Sequence, residues 1–160
     1  MHVPFVIFVV LALLGATLHV LVRVRERSTP RMAEVFLLYL FAIPVGLGGT
    51  LAFVGHTVRA DQTALYIGWP VGNSFQLEVG VANLAFAVLG LTCIWIRGHF
   101  WTATCLGFSI FLLGAGVIHL REIGVRHNLA PGNAGAILYL DLALPILMLG
   151  LLFIRNRRPI

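Results

Sequence analysis

The chain contains five apolar runs of close to 20 residues each, at about 4–22, 35–55, 77–96, 100–120 and 134–154. A helix rises about 1.5 Å per residue and the hydrocarbon of a bilayer is about 30 Å thick, so about 20 apolar residues suffice for one crossing. In lipid every backbone polar group must find its partner within the segment, which favours helices for spans of this length. The pattern predicts an all-α integral membrane bundle of five transmembrane helices, a single transmembrane domain over residues 1–160. Composition agrees, with 59% of residues hydrophobic and 11% charged, against roughly 25% charged in a soluble domain. A water-soluble core of this size has no room for so much apolar side chain.

The net charge of +5 is carried by eleven arginines and no lysine. In a soluble protein such a balance raises nucleic acid binding. Here the arginines gather at the ends of apolar runs, so the partner they imply is the lipid bilayer and its anionic headgroups, not nucleic acid. Arg23, Arg25, Arg27, Arg31, Arg97, Arg155, Arg157 and Arg158 fall on one side, and Arg59, Arg121 and Arg126 on the other. The positive-inside rule then places the C-terminus in the cytoplasm and the N-terminus outside. Trp95 and Trp101 flank the inner turn and Trp69 sits in the outer loop, where interfacial aromatics belong. The first run lacks a basic leader and an A-x-A cleavage site, so it reads as a retained anchor.

Helix association in lipid relies on small residues that let backbones approach. In the third span Gln76, Gly80, Asn83, Ala87 and Gly90 form such a stripe. Gly107, Gly114, Ala115 and Gly116 are expected to do the same in the fourth span, and Gly46, Gly48, Gly49 and Thr50 in the second. Pro44 and Pro145 predict kinks in spans two and five. Both outer loops close with a proline, a glycine and an asparagine, at 70–73 and 131–133. Asn73 and Asn133 are expected as helix N-caps, with Gln76 completing a capping box. Cys93 and Cys105 lie at matched depth on a hairpin and read as packed thiols, with a metal or redox pair as the sharper alternative.

Ionisable groups in the hydrocarbon are costly and normally face a partner or a cavity. Asp141 lies inside the fifth span, about 10 Å below its outer start at the usual helical rise. His56, Glu78, His119 and Glu122 gather towards the same side from three other spans, and His119 and Glu122 share a helix face. Two imidazoles and three carboxylates are ligand types for a divalent metal ion such as zinc, iron or manganese. The alternatives are a structural polar network, in which Asp141 bonds Tyr66, Asn83 or a freed carbonyl and Glu122 pairs with Arg121 or Arg126, and a proton or substrate pathway. A haem between His56 and His119 ranks lower, because neighbouring carboxylates would burden its pocket. At the inner side His19 and Glu34 are placed for a contact, although Glu34 reads more simply as a first-turn carboxylate and His19, like Asn83, as polar packing.

The residues Ile67-Gly68-Trp69-Pro70, Asn73 through Gly80 and Asn128 through Gly135 carry a pattern that resembles a family of small uncharacterised prokaryotic multi-spanning membrane proteins, over about 66–150. The resemblance implies a prokaryotic plasma (inner) membrane and places Glu78 and Asp141 in the patterned part. It carries no activity over. No metalloprotease, nucleophile-triad, phosphate-loop or haem-attachment motif occurs, so no catalytic residue is assigned. The expected role is a non-catalytic or accessory subunit of a larger membrane complex, or a homo-oligomer. A metal-binding or redox-associated protein using the His and carboxylate cluster is the alternative, and an oligomeric transporter or channel the third reading.

Overall fold

The structure, a computed structural model, describes residues 5–23 and 28–157. Helix α1 (Phe5–Arg23) is followed by α2 (Thr29–Leu40), which passes through a π-helical stretch (Phe41–Gly48) straight into α3 (Gly49–Val58). A short α4 (Ala60–Ile67) precedes α5 (Phe75–Thr92) and the long α6 (His99–Arg126), and the single turn α7 (Pro131–Ala134) leads into α8 (Ala136–Asn156). Five helical runs are long and apolar enough to cross a membrane, namely α1, α2 through α3, α5, α6, and α7 with α8. Arg25, Arg27 and Arg158, grouped above with one side's basic residues, lie outside the described residues.

Helices overrun the apolar segments that predict them. α2 starts at Thr29, six residues before its apolar run, because Pro30 fits the first turn, where its missing N–H is not needed. α6 continues to Arg126, through residues expected in a loop. Residues 60–67, also expected as loop, form α4, which buries Thr63, Ala64 and Ile67 and stops at Gly68 with φ of 81°. Hydropathy alone does not reveal a helix this short and half polar. At Pro44 the expected kink takes the form of the π stretch, whose wider turns accommodate the ring and the missing donor. Pro145 sits within α8, which continues on both sides of it.

α8 packs against both α6 and α2, α5 against α3 and the π stretch, and α1 against α2 and the π stretch. The hairpin partners α5 and α6 make their main contacts with other helices. Leu37, Leu40, Phe41, Trp101, Leu144 and Met148 form the centre of one core, which also takes in the unbridged Cys93 and Cys105. The small-residue stripe of α5 is where α3 and the π stretch come closest. A Cβ on Gly90 would lie 2.7 Å from the Phe41 carbonyl oxygen and 3.0 Å from the Gly46 nitrogen. In α6 Gly116 lies tight against Leu142, but Gly114 has nothing within 4 Å, so it takes no part in packing inside the chain. On α1, Leu11, Leu14, Leu18 and Leu21 are exposed, a face suited to lipid.

Candidate functional site

The two ends of the bundle differ in chemistry. One carries Arg23, Arg31, Arg97, Arg155 and Arg157, and is called here the arginine end. The other holds the loops around Trp69 and Asn128, and is called the asparagine end.

At the asparagine end, Asn133 is fully buried. Its side-chain N–H groups donate to the carbonyls of Asn128 at 2.8 Å and His119 at 3.3 Å. That leaves Oδ1 as an acceptor, and His119 Nδ1 donates to it at 2.7 Å. The tautomer of His119 follows, since Nδ1 must carry hydrogen. Its Nε2 therefore faces Asp141 Oδ2, 3.6 Å away. Asp141 thus meets a partner inside the bundle, as a costly ionisable group within an apolar helix normally does. Gly116, one turn before His119, gives α8 the room to bring Asp141 in.

Around this pair the chain is sealed. Trp69 stacks on the His119 ring with centroids 6.2 Å apart and meets Phe75 on its other flank. Asn128 donates to the Ile67 carbonyl at 2.9 Å, and its own side-chain oxygen accepts from the Ala130 N–H at 3.1 Å. Gly132 lies against the Tyr66 ring and backbone, so α7 is pressed onto the end of α4. The result ties the loop after α4 to the loop after α6, directly above the His119–Asp141 pair.

Of the five residues expected as metal ligands, the structure brings His119 and Asp141 together. Glu122 is buried one turn further along α6 and pairs with Arg126 at 3.5 Å, one of the two arginines expected for it. His56 Nδ1 donates to Gln76 Oε1 at 2.6 Å, on the α3–α5 side of the bundle. Glu78 is exposed, two residues and so about 200° round the helix from the buried Gln76. Among the described residues no group of three or more His, Cys, Asp or Glu is arranged to hold a metal ion. Depth along the spans put the five on one level, and helix rotation separates them.

Other polar expectations change as well. His19 does not meet Glu34; it lies edge-on to Tyr39 with Nδ1 3.2 Å from the hydroxyl. Glu34 instead accepts from Arg31 and Arg97, each at 2.6 Å. Asn83 donates to the Val79 carbonyl within its own helix. Asn73 does receive the Gln76 N–H at 3.3 Å, but the Gln76 side chain goes to His56, so the capping box is half made. Asn133 turns inward to His119 where a cap was expected. Asn128, Asn133, Trp69 and Gln76 are thus the site residues that span-by-span reasoning missed. Their common signal was present in the two loop patterns that carry the family resemblance.

The pair predicts a measurable coupling. His119→Leu and Asp141→Leu each strand a buried ionisable partner, whereas the double variant strands none. The double variant is therefore expected to be more stable than the sum of the singles by about 1–2 kcal/mol, read from unfolding in detergent. Strict additivity would show that the two side chains do not interact.

These features define a helical bundle with five helical runs long and apolar enough to cross a membrane, a polar network at one end and, among the described residues, no group of three or more His, Cys, Asp or Glu that could hold a metal ion. The chain belongs to DUF6790, a family of unknown function whose model matches residues 2–159. The match includes the first two spans, which the resemblance over 66–150 left uncovered. No curated protein and no solved structure matches the chain.

Proposed function

We propose that this chain is a small, non-catalytic membrane subunit that works by associating with other membrane chains or with copies of itself. In this reading it resides in a prokaryotic inner membrane, with the arginine end and the C-terminus in the cytoplasm. The observation that carries the proposal is the open face of α6. Leu106, Ile110 and Val117 are exposed on it, and Gly114 between them has no atom within 4 Å of where a Cβ would stand. A glycine among exposed apolar residues lets a second helix approach closely, and lipid gives no other reason to keep one there at a cost to helix propensity. The polar network at the asparagine end supports the same view. Its bonds run between its own loops and hold their shape.

Native purification in a mild detergent tests this. The wild-type chain is expected to run at a mass above one chain, and Gly114→Leu to fall to one chain with its helical content intact. A wild-type protein that is a single chain and carries stoichiometric metal, lost in His119→Ala, would overturn the proposal in favour of a metal-binding protein.

A further inference from the structure

At the arginine end a cavity of about 640 Å³ opens between the starts of α2 and α6 and the end of α8. Ser28 and Gly98, the residues immediately before the two helices, both line it, together with Arg31, His99, Thr102 and Arg155. We propose that this cleft binds a phosphate group, as presented by an anionic phospholipid headgroup or by free phosphate.

Among the described residues, the charge in and beside the cleft is in excess on the positive side. Glu34 also lines it, but its one carboxylate is shared between Arg31 and Arg97. Arg155 has no acidic partner among the described residues. One of its N–H groups donates to Asn156 Oδ1 at 3.3 Å, which leaves most of the five guanidinium donors unused. Its guanidinium lies 4.8 Å over the Trp101 ring. Trp101 is fully buried and anchored by its indole N–H on the Cys93 carbonyl at 2.8 Å, so Arg155 rests on a fixed platform. A guanidinium resting on a fixed ring in this way loses little freedom when it meets a pair of phosphate oxygens.

The backbone and hydroxyls add donors of the same sense. Among the described residues neither α2 nor α6 has a side-chain cap, so the first-turn N–H groups, other than at Pro30, and the positive dipole ends face the cleft without a capping side chain. Ser28 and Thr102 bring hydroxyls to the same walls. A cation would meet mainly guanidinium and N–H in this cleft, and an apolar ligand would leave those donors unpaired. The cleft also lies at the end of the spanning helices, next to the exposed Trp95 and Ile96, at the level where lipid phosphates sit.

The test uses the full chain in a neutral detergent, titrated separately with short-chain phosphatidylglycerol, short-chain phosphatidylcholine and inorganic phosphate, with binding followed by thermal stabilisation. Phosphatidylglycerol, inorganic phosphate or both are expected to bind saturably to the wild type, and Arg155→Gln to weaken that binding about tenfold or more. Arg155→Lys is expected to recover part of it, which keeps the comparison available if the glutamine variant does not fold. Arg59→Gln, at the other end of the bundle, is expected to bind as the wild type does. Binding of the lipid but not of phosphate identifies a headgroup site, and binding of phosphate with no preference for phosphatidylglycerol over phosphatidylcholine identifies a free-phosphate site. Equal binding by wild type and both Arg155 variants, or no saturable binding of either anion, would overturn the proposal.

Discussion

Asn133→Ala is expected to destabilise the fold by about 2–4 kcal/mol, because it removes three hydrogen bonds at once, two of them buried. The His119 Nδ1–H loses its acceptor, the Asn128 carbonyl loses a donor, and the His119 carbonyl keeps only its bond within α6. Hydrogen bonds between spans in lipid average well under this, about 0.6 kcal/mol each, since unfolded segments in the membrane find other partners. Asn133 differs because it ties the connection after α6 back onto α6 itself, so that all its partners are lost together. The comparison is with Asn73→Ala, in the matching position of the other loop. Asn73 is only half buried, and its side chain bonds Pro70 and Gln76 within its own turn. Loss of such a cap costs about 1 kcal/mol. Chemical unfolding of both variants in the same detergent should separate them by at least a factor of two. Equal losses would mean that the Asn133 network does not fasten the loops.

The contrast between Asn73 and Asn133 also shows where the sequence was legible. Apolar runs of span length marked the five helical runs long and apolar enough to cross a membrane, and the α5 stripe identified a packing face because glycine and alanine at steps of three and four leave little else to infer. Both signals depend on position along one helix. The site depends on rotation between helices, which turn by about 100° per residue. His119 and Asp141 were both marked by their place in the apolar runs, yet their proximity required α6 and α8 to face each other, and Glu78 was counted with them though it is exposed. α4 and the extension of α6 to Arg126 escaped for a different reason. They lie beyond the apolar runs and carry polar residues, so a hydropathy window sees only the end of a run there. The loop asparagines were visible as a repeated pattern but were read as caps, the commonest use of asparagine before a helix.

Gly90→Val is expected to cost about 3 kcal/mol or more, the upper end of the range for overpacking a core. A Cβ at Gly90 would stand 2.7 Å from the Phe41 carbonyl oxygen, 2.8 Å from Val45 Cγ1 and 3.0 Å from the Gly46 nitrogen. Two of those three are backbone atoms of the π stretch, which cannot rotate aside, so the helices must separate. Gly46 makes the useful comparison, since its Cβ would meet the end of the Leu91 side chain at 2.7 Å and next the Phe41 carbonyl at 3.3 Å. Leu91 can change rotamer, and Gly46→Ala should therefore cost less than Gly90→Ala. Gly114→Ala is expected to leave the isolated chain as stable as before or more stable by up to about 1 kcal/mol, since it gains helix propensity and meets nothing. The order Gly90, Gly46, Gly114 in thermal unfolding follows from which atoms oppose each site. A Gly114 variant that unfolds as readily as Gly90→Val would place the open face of α6 inside the fold, and would remove the ground for association through it.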